Sequence, residues 1–298
     1  MCPVSNLNTD GIVLVDKPEG PTSHDVVSAI RKIFGTRKVG HAGTLDPMAT
    51  GMLVLGLGKA TRLLGYLAAS DKEYVATMRL GMATETDDAQ GTITSTTSAD
   101  HLTEDQILEV VRTFRGPIMQ RPSSVSAIKV QGKRAYARVR DGEEVELAAR
   151  EVVVQDIEIL EIVRIAELHV VDVSVRVVCS AGTYIRALAR DIGAQLHVGG
   201  HLTMLRRTRS GLFTNMTPLE DLRDMPKLVP LPDALATAFP TVVISGDDVK
   251  KAQNGVRLVA PHDSKSGLTG ILDDKGNAIS LANISNNEIV PVVVFQSE

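Results

Sequence analysis

The sequence of 298 residues predicts an α+β protein with a larger domain, residues 1–236, and a smaller module, residues 241–298. In the larger domain, strand-like runs of apolar residues are interspersed with segments whose apolar residues recur at helical spacing. A proline-spaced stretch, residues 224–240, then has the composition of a linker with one or two helical turns. Only short apolar runs separated by turn residues follow it, which predicts a small all-β module.

The first elements of the larger domain are a strand and a helix. Gly11–Pro18 is a short, buried strand that proline ends. A helix is predicted from an N-cap at Ser23, because the apolar residues between Val26 and Phe34 share one helical face. A second strand, Tyr74–Gly81, alternates apolar and polar side chains, and a second helix begins at the capping box Thr103–Gln106.

Two further strands and a third helix complete the larger domain. The strands are predicted over Val152–Leu160 and His169–Cys179, and in the second of them valines alternate with polar residues. A helix follows from an N-cap at Thr183 and places Arg186 in its first turn, where the helix dipole disfavours a cation. An arginine at a position that the helix dipole disfavours suggests that its side chain has a function outside the helix. The alternative is a surface arginine that costs the helix little stability.

Composition and motifs exclude several classes of function. No apolar run has transmembrane length, and the amino-terminal residues lack the pattern of a signal peptide. Cys2 and Cys179 are the only cysteines, which favours a cytoplasmic protein without disulfides. The histidines lack metal-ligand spacing, residues 55–62 lack the P-loop spacing, and no acyl-transfer signature occurs.

The distribution of charge favours a nucleic-acid partner although the net charge is −4. Residues 115–140 contain seven cations and no acid, and Lys129, Lys133 and Arg134 lie at their centre. A second basic cluster contains Arg206, Arg207 and Arg209. Charge segregated in this way can steer a polyanion to one face, although either cluster can equally be a solvated surface.

A single carboxylate is presented by the segment from Gly40 to Gly51, GHAGTLDPMATG. Three glycines, a proline and two threonines surround Asp46, so the segment is typical of a tight loop held by the apolar segments on both sides. Functional residues are common on such loops. The alternative is a structural turn in which the aspartate caps backbone amides.

A lone aspartate can act as a nucleophile without an adjacent base. Its ordinary pKa of about 3.9 leaves it ionised at neutral pH. Once water is excluded it needs orientation and a cationic partner, and an arginine fits best because its planar fork binds a carboxylate with two hydrogen bonds. A glycosidase would need a second positioned carboxylate, which this loop does not offer.

Six motifs in order resemble the bacterial tRNA pseudouridine synthase B family, TruB. They are LVDKPEGPTSHDVV, KVGHAGTLDPMATGMLVLGLGKATR, KEYVATMRLGMATETDDAQG, RPSSVSAIKVQGKRAYARVR, SAGTYIRALARDIG and LRRTRSGLF, within residues 11–214. The resemblance implies a mixed, largely antiparallel sheet flanked by helices, and isomerisation of uridine 55 in the T loop of tRNA without cofactor or metal. It also implies an insertion, residues 117–148, that grips the T arm, and a carboxy-terminal module of PUA type.

The resemblance assigns roles to single residues. Asp46 matches the catalytic aspartate, Tyr74 the tyrosine that stacks on the target base, and Arg186 the arginine that pairs with the aspartate. His41 matches the histidine that helps to fill the space left by the extruded base. Lys17 and Leu205 match pocket-lining positions. The chain departs from many relatives at Ser123, where they carry a second proline.

The physical properties of the residues agree with this assignment. A carboxylate can reach the target base only after the base leaves its stack, and an aromatic face such as that of Tyr74 can receive it. The leading hypothesis is therefore a monomeric, cytoplasmic tRNA pseudouridine synthase. Two alternatives remain open: an RNA-binding or tRNA-folding module without essential chemistry, and a pseudouridine synthase that modifies another RNA.

Overall fold

The computed structural model describes residues 9–123 and 147–295, with the backbone alone at residues 129–130 and 133–134. The described strands are β1 (Gly11–Lys17), β2 (Val39–His41), β3 (Thr50–Leu57), β4 (Lys72–Leu80), β5 (Met82–Thr84), β6 (Ile93–Thr96), β7 (Gly116–Gln120), β8 (Lys129–Val130), β9 (Lys133–Arg134), β10 (Arg150–Ile165), β11 (Val170–Cys179), β12 (Gly200–Ser210), β13 (Thr217–Pro218), β14 (Val229–Pro230), β15 (Thr241–Ile244), β16 (Leu258–Val259), β17 (Gly267–Asp273), β18 (Ala278–Ser285) and β19 (Glu288–Val294). The described α-helices are α1 (Ser23–Ile33), α2 (Leu64–Ala68), α3 (Glu104–Thr113), α4 (Ile185–Gln195), α5 (Asp221–Asp224), α6 (Leu231–Ala238) and α7 (Asp247–Gln253). Short 3₁₀ turns cover Gly58–Leu63 and Ala166–Leu168.

Within the described residues, ten strands form the main sheet, in the order β13-β1-β3-β12-β4-β11-β10-β7, with β14 paired to β1 and β2 to β3. The β1–β13 and β3–β12 pairs are parallel and the other pairs are antiparallel. The predicted mixed, largely antiparallel sheet flanked by helices is therefore confirmed. None of the described helices is long and apolar enough to cross a membrane.

The helices α1, α3 and α4 bury their apolar faces against the sheet. Val26, Ile30, Ile107, Leu188 and Ile192 are all at most 1% exposed and belong to one buried cluster with residues of β3, β4 and β11. The helical spacing read from the sequence therefore identified the core faces correctly. The apolar side chains of this core hold the turns and strand ends that carry the polar residues described below.

Both predicted N-caps of α1 and α4 are wrong by one residue. Thr22 caps α1 through a capping box with Asp25, whose backbone N–H donates to the threonine hydroxyl at 3.1 Å. Helix α4 begins after Tyr184, since the Thr183 hydroxyl donates instead to the Ser180 carbonyl at 2.9 Å. Ser23 does not cap the helix; its hydroxyl forms hydrogen bonds with the backbone of Leu45. The predicted capping box of α3, Thr103–Gln106, is confirmed.

The predicted linker is packed on the main sheet. β14 pairs with the start of β1, with Pro230 opposite Gly11 and Val229 opposite Ile12. The carboxy-terminal module is a five-stranded sheet in the order β15-β17-β18-β19-β16, which confirms a β-rich module. In it, β17 pairs antiparallel with β18, and β18 with β19. The domain boundary at residue 236 stays a prediction.

The insertion begins later than the sequence indicates. Residues 116–120 form β7, which pairs with the first residues of β10, so Pro117 to Gln120 belong to the edge of the main sheet. Beyond Ser123, the described backbone shows β8 and β9 paired with each other, Lys129 opposite Arg134. The side chains of Lys129, Lys133 and Arg134 lie outside the described residues, and their role stays a prediction.

Candidate active site

Asp46 lies on the loop between β2 and β3, at one side of a cavity of about 230 Å³. The cavity lies where this loop meets the start of β4, the end of β12 and the amino-terminal end of α4. Its lining includes Asp46, Tyr74, Arg186, Leu205 and Arg207. Four of the residues to which the resemblance assigns catalytic or pocket-lining roles are therefore brought together from four separate segments.

Arg186 contacts Asp46 directly. Its Nη2 lies 3.0 Å from Oδ2 of Asp46, and only 4% of the arginine is exposed. The alternative of a tolerated surface arginine is therefore wrong. A guanidinium stays protonated, so this contact places a permanent positive charge beside the Asp46 carboxylate.

The same guanidinium binds a second carboxylate, that of Asp88. Nη1 of Arg186 lies 3.1 Å from Oδ2 of Asp88 and donates to the Thr86 carbonyl at 2.9 Å. Oδ1 of Asp88 accepts hydrogen bonds from the Thr86 hydroxyl at 2.6 Å and from the Gln90 N–H at 3.0 Å. Asp88 is 4% exposed, and both of its carboxylate oxygens have partners. This buried acid therefore helps to hold the guanidinium of Arg186 in place.

Asp88 was not singled out as a site residue from the sequence. It stands in the quoted segment KEYVATMRLGMATETDDAQG, where two adjacent acids follow a strand. The signal that could have found it is the need of a buried arginine for more than one acceptor, because a guanidinium offers five N–H donors.

The backbone of the Asp46 loop is fixed on both sides by buried cations. The Lys17 ammonium donates to the carbonyls of Pro18 at 2.9 Å, Pro47 at 3.2 Å and Ala49 at 2.7 Å. The lysine is fully buried beneath the loop and is not among the residues that line the cavity. Its contacts hold the residues that follow Asp46.

Arg207 holds the residues that precede Asp46. Its guanidinium donates to the carbonyls of Met52 at 2.6 Å, Gly43 at 3.1 Å and Thr44 at 3.5 Å, and the residue is 2% exposed. Ser23 adds a further contact, because its hydroxyl donates to the Leu45 carbonyl at 2.9 Å and accepts from the Leu45 N–H at 2.8 Å. Asp46 is thus presented by a loop whose backbone carbonyls are bound from two directions.

The environment shifts the pKa of both Asp46 and Lys17. Burial raises the pKa of the Asp46 carboxyl, and the nearby Asp88 raises it further, while Arg186 and Lys17 oppose the rise. Burial lowers the pKa of Lys17 to about 8, against the opposing attraction of Asp46 and Glu19. In this site, desolvation raises the pKa of Asp46, whereas the positive charges of Arg186 and Lys17 lower it.

Tyr74 lies opposite Arg207 on the paired strands β4 and β12, and its ring lines the cavity. Burial raises the pKa of its phenol above the ordinary value. The neutral phenol is therefore favoured at neutral pH.

Two further residues predicted from the sequence, His41 and Arg206, are not among the residues that line the cavity. His41 is on β2, partly buried, and is not among the lining residues. Arg206 forms a two-point contact with Asp16, with distances of 3.0 Å from Nη1 to Oδ1 and 2.6 Å from Nη2 to Oδ2. Because Arg207 is buried and Arg206 is paired, these two residues do not form an exposed cationic cluster. Among the described residues, no group of three His, Cys, Asp or Glu is placed to hold a metal.

Comparison with known families and proteins gives one consistent result. Residues 31–185 match the family model described as "TruB family pseudouridylate synthase (N terminal domain)", and residues 186–230 match "tRNA pseudouridylate synthase B C-terminal domain". The chain is 50% identical to tRNA pseudouridine synthase B of Thermobifida fusca over 96% of this chain and 98% of that protein. It is 53% identical to the protein of the same name from Mycobacterium sp. (strain KMS) over 88% of this chain and 86% of that protein.

Two solved structures with the same fold are chains of larger complexes. One is a chain of an H/ACA ribonucleoprotein bound to a substrate RNA containing 2′-deoxyuridine, with a TM-score of 0.72, 30% identity, and coverage of 97% of this chain and 86% of that chain. Another belongs to a Cbf5-Nop10-Gar1 complex, with a TM-score of 0.71, 31% identity, and coverage of 97% and 84%.

Proposed function

The chain belongs to the TruB family of pseudouridylate synthases and is a tRNA pseudouridine synthase, and within this activity we propose that Asp46 is the nucleophile. The observation that carries the proposal is the contact of 3.0 Å between Asp46 and the buried guanidinium of Arg186 at the wall of a cavity. The proposed substrate is the uridine at position 55 in the T loop, with the T arm bound by the insertion.

The target uridine has to leave the base stack before Asp46 can reach it. Extrusion of a base costs a few kcal/mol, and stacking on an aromatic side chain returns about 1–3 kcal/mol. Tyr74 offers such a face inside the cavity, and Leu205 lines the same cavity. These two side chains would hold the base while its bond to the sugar is broken.

The reaction needs a carboxylate that is charged although it is shielded from water. Asp46 would attack either the uracil ring or the ribose carbon; in both cases the bond between C1′ and N1 breaks and the base turns within the pocket. A bond between C1′ and C5 then forms as the carboxylate is released, and the proton lost from C5 is balanced by one gained at N1. Because no fragment departs, one carboxylate and an enclosed pocket suffice. Arg186 stabilises the charged carboxylate before it attacks and again as it is released, and keeps it oriented between these steps.

Replacement of Asp46 tests the proposal directly. We expect Asp46→Asn to abolish pseudouridine formation in a T-arm transcript while tRNA affinity stays within a few-fold of that of the unmodified protein. Asp172→Asn is a matched control, because Asp172 pairs with Arg79 at 2.7 Å and is not among the cavity-lining residues. It should retain full activity. Substantial pseudouridine formation by the Asp46 variant would refute the nucleophile assignment.

Separate assays of modification and folding address the alternative of an RNA-folding module. If the Asp46→Asn protein still accelerates tRNA refolding, both activities reside in the chain, and the chemistry alone depends on the aspartate. Mapping of pseudouridine in total RNA with and without the protein would identify position 55 or another RNA as the target. We also propose that the enzyme is monomeric and, because its substrate is a tRNA, that it is cytoplasmic.

A further inference from the structure

A buried glutamine joins the edge of the main sheet to the helix that carries Arg186. The Nε2 of Gln120 donates to the Tyr184 carbonyl at 3.0 Å, and the Tyr184 N–H donates to its Oε1 at 2.8 Å. The side-chain amide thus makes the same reciprocal pair of hydrogen bonds as a peptide of a neighbouring strand. Gln120 is the last residue of β7 and is 1% exposed.

Two further contacts join the same two regions. Nη2 of Arg150, the first residue of β10, donates to the Gly182 carbonyl at 2.6 Å, and its guanidinium lies 5.2 Å from the centre of the Tyr184 ring. Nη2 of Arg190 on α4 donates to the Arg121 carbonyl at 2.7 Å. Residues 120–121, within the segment predicted as an insertion, and Arg150, just after its end, are therefore bound to the residues that precede α4 and to the helix itself.

Tyr184 is the N-cap of α4, and it has extended dihedral angles of φ −104° and ψ 108°. The helix start has no side-chain cap of its own. The two hydrogen bonds of Gln120 therefore fix the backbone of the residue from which the helix begins, two positions before Arg186. Tyr184 and Arg186 both line the cavity that contains Asp46.

We propose that Gln120 is a positioning residue for the isomerisation, which acts by fixing Tyr184 and, through the start of α4, the guanidinium of Arg186 against Asp46. The inference rests on the proposed function, because it assumes that Arg186 and Asp46 perform the chemistry. A displacement of about 1 Å in a catalytic group can lower a rate about 100-fold. The position of the start of α4 would then depend on Gln120, the last residue of β7.

Gln120→Met tests the proposal because methionine has nearly the same volume and makes neither hydrogen bond. We expect its rate of pseudouridine formation, measured in single turnover with saturating enzyme, to fall roughly 10- to 100-fold. The dissociation constant for tRNA should change less than about threefold. Val152→Ala is the control for a purely structural loss: Val152 is 4% exposed, pairs with Ile118 on the same β7–β10 ladder, and does not line the cavity.

Hydrogen exchange supplies a readout that is independent of activity. The Tyr184 N–H donates to Gln120, so its exchange should accelerate in Gln120→Met and stay unchanged in Val152→Ala. Gln120→Glu supplies a pH profile: a neutral carboxyl can accept from the N–H and donate to the carbonyl as the amide does, whereas a carboxylate cannot donate. Its rate relative to that of the unmodified protein should therefore recover as pH falls.

Three results would overturn the proposal. They are a rate for Gln120→Met within threefold of normal, a loss no larger than that of Val152→Ala, and a relative rate of Gln120→Glu that does not depend on pH. Failure of the proposed function has a different signature. In that case the unmodified protein and Asp46→Asn would form pseudouridine equally well or not at all, and the inference about Gln120 would fall with it.

Discussion

Arg186 is the residue on which the electrostatics of the site depend, since one guanidinium contacts both Asp46 and Asp88. The proposed attack requires Asp46 to be ionised, and burial already raises its pKa. Removal of the opposing positive charge raises that pKa further. The pH at which activity is half lost on acidification must therefore move upward when Arg186 is replaced.

This shift is measurable as the acid limb of the pH–rate profile. We expect the midpoint for Arg186→Met to lie at higher pH than that of the unmodified protein, with a greatly reduced rate. Arg186→Lys keeps a charge but not the fork, so its midpoint should lie between the two while its rate is also reduced. Thermal denaturation at each pH identifies loss of fold, because both acids lose their partner in the methionine variant. Identical midpoints in all three proteins would contradict the role given to Arg186.

The sequence predicted the residues for which we propose a part in the reaction, but not the residues that support them. Asp46, Tyr74 and Arg186 stand in motifs that resemble a family, so the sequence alone sufficed to name them. Asp88 could not be named in this way, because its contact with Arg186 joins positions 98 residues apart. Ser23 shows the same limit: its sequence position suggests a helix cap, whereas the fold brings it to Leu45 and makes it a support of the catalytic loop.

At the scale of elements, α4, which carries Arg186, packs closely against the start of β12. A Cβ atom on Gly193 of α4 would lie 2.3 Å from the carbonyl carbon of Gly199 and 2.4 Å from the backbone nitrogen of Gly200. Both neighbours are backbone atoms, so the helix itself would have to move. The position of the helix, and with it that of Arg186, is therefore set by a contact between glycines.

Gly193→Ala should lower both stability and rate. We expect the free energy of unfolding to fall by about 1–3 kcal/mol, as for other overpacked sites, and the single-turnover rate to fall as Arg186 moves away from Asp46. Gly65→Ala is the matched control, because Gly65 lies in helix α2 and a Cβ there meets no atom within 4 Å. That variant should be neutral or slightly stabilising. Equal effects of the two substitutions would show that the close contact does not position the helix.

Element types were predictable from the sequence, whereas element ends and contacts were less so. Apolar periodicity identified α1, α3, β4 and β11 because their buried faces repeat at regular spacing. The start of α4 was misplaced because Thr183 binds Ser180 locally, and such a turn has the same sequence signal as an N-cap. The segment of residues 224–240 has linker composition, yet strand pairing with β1 holds part of it on the sheet.

At the scale of the molecule, the carboxy-terminal module shares a hydrophobic core with the larger domain. Leu281 and Phe295 of the module belong to one buried cluster with Leu235 of α6 and with Ile12 and Leu67. The guanidinium of Arg62 also donates to the Val294 carbonyl. Among the described residues, by contrast, those that line the cavity all lie between Gly43 and Arg207.

Removal of residues 241–298 should therefore affect stability more than chemistry. We expect the truncated chain to unfold several kcal/mol more easily, since each large apolar side chain that loses its burial costs about 1.5–3 kcal/mol. Its single-turnover rate at saturating tRNA, measured below its melting temperature, should stay within a few-fold of normal. Leu281→Ala in the full chain makes a smaller change in the same core and should lower the melting temperature without changing the rate. Unchanged stability after truncation would indicate two independent folding units.

The distribution of charge over the whole molecule affects tRNA binding. Because the chain has a net charge of −4, it must bind a polyanion through a local cationic region. Joint replacement of Lys129, Lys133 and Arg134 by glutamine should weaken tRNA binding. It should also reduce the slope of log affinity against log salt by about 2 to 3, because each phosphate contact releases nearly one counterion. Binding measured by filter retention from about 50 to about 300 mM salt gives that slope.

The control for this variant changes charge by a similar amount elsewhere. Lys250, Lys251 and Lys275 of the carboxy-terminal module are exposed, and Lys251 already pairs with Asp248 at 2.9 Å. Their joint replacement by glutamine should leave the salt slope nearly unchanged, since a long-range effect of net charge is screened within about 8 Å at physiological ionic strength. If both triple variants reduce the slope equally, net charge rather than contact governs binding, and the insertion has no special role in gripping the T arm.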